Sequence, residues 1–280
     1  MMNRRYYSTR TGKNPDAIQF DLPILLRLFN DLYKSFDIKY YFQEAFGYNC
    51  VDAGAVPGTL GSDIEAQLFL KLRKLNLWPI SEICNAYSED DVFDVIEFLY
   101  DHVSKPIDGY YHDYSGCGWH YQTFNIELGR QEWKNEINDI PLDYKSGYEL
   151  SGNGEILALP EKGLENLFKA NLPIYDPENV ENRVNAAILK FRRYRSSFED
   201  RKDAIRDLAD VLEFLRSKLK SVITKNDEND LFNIANNFGI RHHNDSQKID
   251  YDKAIWYSWM FYYYLATIYA SVRLIKKNEQ

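Results

Sequence analysis

Apolar residues recur at three- and four-residue steps in the first half of the chain, which predicts amphipathic helices. The first such stripe covers residues 25–36. A second helix is predicted over residues 62–77, where Ser62 can cap the start and a proline after the last turn ends the helix. A third begins at Ser88 and carries acidic residues in its first turn, where the helix dipole favours them. A short fourth helix is predicted around residues 129–140.

Glycine-bearing stretches interrupt these helices and predict irregular structure. Residues 47–62 are expected to form a turn-rich connector, because they lack the lysine-bearing pattern of a phosphate-binding loop. Residues 104–125 are polar, aromatic and glycine-bearing, and are expected to form a long loop or an irregular insertion. Residues 148–159 are the clearest hairpin signal in the chain, with two short apolar runs around a Gly-Asn-Gly turn.

Prolines and acidic residues mark residues 172–182 as a boundary, and the sequence after it predicts helices throughout. These helices are expected over residues 183–195, 199–222, 228–237 and 250–276. We therefore predict a mainly α protein in which a helical N-terminal module with a small β-hairpin precedes an all-α helical bundle. The predicted division is a module over 1–171, a linker over 172–182 and a helical domain over 183–280.

The last predicted helix contains a long uncharged stretch, Ala254–Val272, which is near the length that spans a bilayer. Its tyrosines lie in the middle of the stretch, whereas membrane spans place Tyr and Trp mainly at the two interfaces. A buried core helix explains this pattern better. We therefore expect no membrane partner.

The bulk properties favour a cytoplasmic protein. Hydrophobic residues make up 45% of the chain, which is ample for a core, and the formal net charge is −8. That charge argues against coating nucleic acid by bulk attraction, although a local basic face can still bind RNA. The basic N-terminus lacks the apolar stretch of a secretory signal. Three widely spaced cysteines form no disulfide framework and suit a reducing compartment.

Two parts of the sequence resemble modules of bacterial abortive-infection proteins. The segments DRKDAIRDLADVLEFLRSKL (200–219) and NNFGIRHHNDSQKIDYDKAIWYSWMFYYYLATIYASV (236–272) resemble HEPN domains. In that family a long helix that begins near an Asp-Arg pair packs against a final helix, and a polar turn before the final helix forms the site. The segments YYSTRTGKNP (6–15), SEDDVFDVIEFLYD (88–101) and EINDIPLDYKSGYELSGNGEILAL (136–159) are similar to the AbiJ-type N-terminal module.

This resemblance implies a phage-defence protein whose HEPN-like domain binds RNA and, in its catalytic form, cleaves RNA without a metal. In such ribonucleases an RNA 2′-OH attacks the adjacent phosphate, a histidine moves protons and an arginine stabilises the developing charge. In this chain Arg241 corresponds to the catalytic arginine and His242 to the polar residue after it. His243 is the histidine that could replace the catalytic histidine of the family. The positions where the family's histidine is expected, 246–248, hold Ser, Gln and Lys.

The same resemblance implies a homodimer through the C-terminal helices, because two copies form the cleft, and an unidentified partner from the defence system. The alternative is a non-catalytic helical module for dimerisation or partner binding, with a degenerate site. Asn244 and Asp245 complete a turn that can bind RNA near a helix start. The alternative for this turn is a polar loop in which Asp245 or Asp250 caps the last helix.

A basic run precedes the helix predicted over residues 199–222 and interleaves cations with aromatic residues, as nucleic-acid faces do. The candidate RNA-binding residues of this run are Lys190, Arg192, Arg193 and Arg195. The alternative is a solvated helix side, because charged helix faces are common.

The stretch HDYSGCGWH places His112, Cys117 and His120 close together in the sequence, and imidazole and thiolate are zinc ligands. A fourth ligand would have to be Asp113, His102 or a distant residue, and the sequence contains no Cys-x-x-Cys pair. We therefore predict no metal site and no cofactor. These residues are expected to form hydrogen bonds within a tyrosine-rich insertion.

Overall fold

A computed structural model describes the chain over residues 6–13, 20–161, 163–170, 172–226, 229, 231–232, 240 and 251–279. The chain divides into two compact units, Met1–Leu157 and Ala158–Gln280. The division differs from the predicted boundary, because residues 158–182 belong to the second unit. Phe168 and Tyr175 pack against that unit's core, and Val180 is buried within it.

Within the described residues, the first unit is mainly helical. Its core forms where apolar side chains of the longer helices meet, and Phe29, Phe36, Ile96 and Trp133 are fully buried there. Phe36 meets the Trp133 ring edge to face at 5.0 Å. The helices are α1 (Tyr7–Arg10), α2 (Leu22–Ile38), α3 (Gln43–Phe46), α4 (Ile64–Leu72), α5 (Ile80–Ile83), α6 (Glu89–His102) and α7 (Ile126–Ile137).

Capping residues set where these helices begin. The α6 helix starts at Ser88, whose hydroxyl accepts from the Asp91 N–H while the Asp91 carboxylate accepts from the Ser88 N–H. This confirms the predicted start at Ser88. The α4 helix is shorter than predicted: Asp63 caps it instead of Ser62, and it ends at Arg73, whose φ of 59° is left-handed. The chain therefore leaves the helix well before the proline that was expected to stop it.

Three two-stranded antiparallel hairpins lie among the described residues, where the sequence predicted one. They are β1 (Tyr48–Cys50) with β2 (Gly54–Val56), β3 (Lys105–His112) with β4 (Gly118–Asn125), and β5 (Tyr148–Leu150) with β6 (Ile156–Ala158). The last confirms the predicted hairpin. The first two correct the prediction that residues 47–62 and 104–125 are irregular.

The β3–β4 hairpin is pinned by contacts with other elements. Its register pairs Tyr110 with His120 and His112 with Gly118. The Gln43 side chain donates to the Trp119 carbonyl at 2.9 Å and accepts from the Tyr121 N–H at 2.7 Å. These bonds join α3 to the middle of β4, and they satisfy backbone groups of an edge strand that would otherwise face solvent.

The second unit is helical in its described residues. It comprises α8 (Glu165–Lys169), a π-helical turn (Pro177–Glu181), α9 (Asn182–Arg192), α10 (Phe198–Leu219) and the C-terminal helix (Lys253–Glu279). The stripe predicted for α10 is buried throughout: Ala204, Leu208, Val211, Leu212, Leu215 and Leu219. The ring of Phe191 in α9 stacks on that of Phe261 in the C-terminal helix, with centroids 3.9 Å apart.

The C-terminal helix is a core element. Phe261, Leu265 and Ile268 are fully buried on it, and Tyr264 is 1% exposed. The prediction of a buried aromatic helix is therefore confirmed. No helix in the described part of the chain is both long and apolar enough to cross a membrane. The helix predicted over 228–237 lies largely outside the described residues.

Candidate functional site

The turn that carries the predicted catalytic residues lies outside the described residues. This applies to Arg241, His242, His243, Asn244 and Asp245, and also to positions 246–248. The structure does place the residue before the turn: Ile240 is fully buried in the core of the second unit. Its carbonyl accepts a hydrogen bond from Nε of Arg206 on α10, at 3.2 Å.

Arg206 also pairs with a neighbour on the same helix. Its Nη1 lies 2.7 Å from Oδ1 of Asp203, one helical turn earlier. Ile240, the last described residue before the predicted turn, is therefore held against α10.

The four basic residues that the sequence grouped as one RNA-binding face, Lys190, Arg192, Arg193 and Arg195, have different surroundings in the structure. Lys190 forms an ion pair with Asp207, with its Nζ 2.5 Å from Oδ2. Arg193 and Arg195 are exposed just beyond the end of α9. The guanidinium of Arg195 lies 5.1 Å from the Tyr194 ring centroid, which places a cation beside an aromatic face.

Arg192 occupies a different environment from the other three. It is 8% exposed, and its Nε donates to the carbonyl of Ala158 at 2.9 Å. Its guanidinium also lies 5.0 Å from the Phe168 ring centroid. The structure therefore gives Arg192 contacts inside the second unit, and its RNA-binding role stays a prediction.

Comparisons of this chain with protein-family models, with curated proteins and with solved structures find no match. The HEPN and AbiJ resemblances therefore rest on the residues quoted above.

The first unit holds a cluster that the sequence revealed only in part. His112 ends β3, Cys117 lies in the turn between β3 and β4, and His120 lies in β4. Cys50, at the end of β1, joins them. We call these four residues the thiol–imidazole cluster. One potential ligand atom from each lies within 4.8 Å of every other.

Two distances define the geometry inside the cluster. The Sγ of Cys50 lies 3.7 Å from Nδ1 of His112, and the Sγ of Cys117 lies 3.1 Å from Nε2 of His120. His120 is 2% exposed, and the other three are half-buried. Both cysteines are free thiols. The four side chains thus converge on one partly shielded point between two hairpins.

The second nitrogen of each imidazole ring also has a partner. Nδ1 of His120 lies 3.1 Å from the Tyr110 hydroxyl, and Nε2 of His112 lies 3.3 Å from Oδ2 of Asp52. A hydrogen bond at one ring nitrogen fixes the ring orientation and leaves the other nitrogen to face the cluster. The ring of Tyr48 covers His120, with centroids 4.2 Å apart.

Turn geometry positions the sulfur of Cys50. After Cys50 the chain turns sharply toward β2, and Gly54 adopts a φ of 72°, which glycine accommodates without strain. The backbone N–H groups of Ala53 and Asp52 donate to the sulfur and lower the pKa of the Cys50 thiol, and the bond from Ala53 has the larger effect. The turn thereby favours the thiolate, which is the form of cysteine that reacts or binds a metal.

The sequence prediction missed Cys50, Asp52 and Tyr110 as members of this site. Cys50 is 62 positions away from His112, so local spacing cannot connect the two. The fourth ligands that the sequence suggested, Asp113 and His102, are absent from the cluster. The available signal was that Cys50 and Cys117 both lie in glycine-containing segments of the sequence.

Proposed function

We propose that the second unit is the HEPN-like RNA-binding domain of a bacterial abortive-infection protein, and that the turn beginning at Arg241 contacts the RNA. The supporting observation is the hydrogen bond from Arg206 to the carbonyl of the buried Ile240. That bond ties Ile240, the residue before the turn, to α10, the helix that the family packs against the final helix.

The chemistry we propose for the catalytic form requires two groups from this turn. The 2′-oxygen of a ribose bonds to the adjacent phosphorus, the 5′-oxygen of the next nucleotide leaves, and a cyclic phosphate and a 5′-hydroxyl result. His243 takes the proton from the 2′-hydroxyl or supplies one to the leaving oxygen, and Arg241 stabilises the negative phosphorane. Two copies of the chain supply both proton transfers.

Exposed apolar side chains on the C-terminal helix support the proposed homodimer. Ile255 is 66% exposed, Trp259 43% and Leu274 43%, although the same helix carries the core of the unit on its other side. Exposed apolar residues grouped on one helix are typical of protein interfaces.

A second candidate function is favoured by one observation from the sequence. Positions 246–248 hold Ser, Gln and Lys, so the histidine that the family places there is missing. The second unit would then bind RNA or a partner protein without cutting. Arg241 keeps its phosphate-binding role in this version, whereas His243 has no proton to transfer.

The test is to express the intact chain in bacteria and to incubate the purified protein with RNA. The variants are Arg241→Ala and His243→Ala, and the matched control is Arg183→Ala, which removes one exposed positive charge from α9. For the catalytic form we expect growth arrest and cleavage products ending in a cyclic phosphate, both abolished by either site variant and unaffected by the control.

The outcomes separate the two candidates. RNA binding that is weakened by Arg241→Ala but not by His243→Ala, with no cleavage by the intact chain, supports the non-catalytic domain. RNA binding that is equal in the intact chain, in Arg241→Ala and in Arg183→Ala contradicts both versions.

A further inference from the structure

The thiol–imidazole cluster has the donor set and spacing of a tetrahedral metal site. A Zn²⁺ ion holds sulfur at about 2.3 Å and imidazole nitrogen at about 2.0–2.1 Å, so its ligand atoms lie about 3.3–3.8 Å from one another. The contacts between Cys50 and His112, 3.7 Å, and between Cys117 and His120, 3.1 Å, are close to that range. All pairs lie within 4.8 Å, so sub-ångström shifts of the side chains are enough to enclose an ion.

The partners of the two imidazole rings point to a metal independently of the cluster itself. Histidines that bind metals almost always donate their remote N–H to an oxygen, which fixes the tautomer. Here the Tyr110 hydroxyl and the Asp52 carboxylate occupy those positions, on Nδ1 of His120 and Nε2 of His112. His120 thereby directs Nε2 into the cluster, and His112 directs Nδ1.

Beyond the two bonds from Gln43, the β3–β4 hairpin has little apolar burial of its own to keep it rigid. The β3–β4 hairpin has two strands, and such a hairpin is marginal in water without a packed face. Three of its tyrosines are largely in solvent: Tyr110 is 51% exposed, Tyr111 53% and Tyr114 69%. A metal ion that joins this hairpin to Cys50 of β1 would therefore stabilise the hairpin, which buries little apolar surface.

We propose that the first unit binds one structural Zn²⁺ ion through Sγ of Cys50, Nδ1 of His112, Sγ of Cys117 and Nε2 of His120. Two thiol protons leave on binding, so two thiolates neutralise the charge of the ion. Zinc is the expected ion, because a tetrahedral set of two thiolates and two imidazoles suits it better than the oxygen-preferring Mg²⁺ or Ca²⁺. The site is structural because four protein ligands leave no open position for a substrate.

The role of the ion is to fasten the turn after β1 to the tip of the β3–β4 hairpin. All four ligands belong to the first unit, whereas the proposed RNA site belongs to the second. Failure of this proposal therefore leaves the proposed RNA function untouched, and the reverse also holds.

The experiment uses the full chain, purified without a metal-affinity tag under reducing conditions, and measures bound zinc by elemental mass spectrometry. We expect about one Zn²⁺ per chain. We also expect Co²⁺ to replace it, giving the intense visible bands of tetrahedral cobalt and a thiolate charge-transfer band. The ligand variant Cys50→Ser is expected to lose the metal and the cobalt spectrum. The matched control is Cys84→Ser, since Cys84 is a buried free thiol outside the cluster.

If Cys50→Ser does not fold, two further variants that keep all four ligands still test the proposal. Tyr110→Phe and Asp52→Ala retain all four ligands and remove only the oxygen partners of the imidazoles. Each is expected to lower zinc affinity about 10–100-fold in competition with a chromophoric chelator. Circular dichroism checks that both variants keep the fold of the intact chain.

Three results would overturn the proposal. The first is a folded, reduced full chain that takes up no Zn²⁺ and gives only an octahedral cobalt spectrum. The second is equal metal content in Cys50→Ser and Cys84→Ser. The third is a Cys50–Cys117 disulfide in protein alkylated directly in a reducing lysate, because that bond would consume both thiolates.

Discussion

Replacing Arg192 by alanine tests whether this arginine holds the second unit together or binds RNA. The substitution removes the 2.9 Å hydrogen bond from Nε to the carbonyl of Ala158 and the contact of the guanidinium with the Phe168 ring. A hydrogen bond from a charged donor contributes about 1.5–3 kcal/mol. A cation–aromatic contact in a partly desolvated position adds about 0.5–2 kcal/mol.

These contributions share one side chain and do not add fully, so we expect the unfolding free energy of the second unit to fall by about 2–4 kcal/mol. The carbonyl of Ala158 also loses its partner, which costs free energy wherever water does not replace the bond. A loss of this size lowers the melting temperature by roughly 8–15 °C for a unit of this length.

Urea denaturation followed by far-ultraviolet circular dichroism measures the loss, and hydrogen exchange of α9 and α10 peptides assigns it to the second unit. The control is Arg183→Ala, which removes the same charge from an exposed position on the same helix. We expect that control to change stability by less than about 0.5 kcal/mol. Unchanged stability in Arg192→Ala, together with loss of RNA binding, would refute the structural role of Arg192.

Three other predictions concern acid stability, a glycine contact and salt. Burial raises the pKa of Asp91, but hydrogen bonds from Lys74 and Ser88 outweigh burial, so the folded pKa of Asp91 is lowered. The stabilising effect of the Asp91 carboxylate is therefore complete above its unfolded pKa of about 3.9, and it is lost as the pH falls through the folded pKa. Urea midpoints of the intact chain should therefore fall on acidification below about pH 4, and Asp91→Asn should flatten that slope. Gly154→Ala should lower the melting temperature of the first unit, because φ is 84° and the new Cβ would lie 2.5 Å from the Tyr100 ring. The control Gly61→Ala has a similar φ of 82° in the same unit but open space around it, so it should cost less. RNA affinity measured at rising salt should fall steeply, because phosphate contacts release counterions, and an affinity independent of salt would contradict contacts with the backbone.

Periodic apolar patterns allowed the helices to be predicted, since the buried side of each long helix matches its stripe. Leu208, Val211 and Leu215 of α10 are examples, and all three are fully buried. Capping chemistry is equally local, which is why Ser88 was recognised as the start of α6. Such features depend on neighbours within one or two helical turns, so a single sequence contains them.

The β3–β4 hairpin could not be predicted in the same way. Its strands do not alternate cleanly between buried and exposed positions, because no broad core covers either face. Its position depends instead on long-range contacts, such as those from Gln43 to Trp119 and Tyr121. The unit boundary escaped prediction for a related reason: the proline-bearing segment 172–182 looks like a linker, yet Val180 within it is fully buried.

The spacing of the four cluster residues sets an order in which their surroundings can assemble during folding. Cys117 and His120 are three positions apart and come together as soon as the β3–β4 turn forms, whereas His112 and Cys50 are 62 positions apart. Closing the longer loop costs more chain entropy, so we expect Cys50 to join last. For the proposed zinc site, we therefore expect the nascent hairpin to supply only part of the ligand set until the first unit is complete.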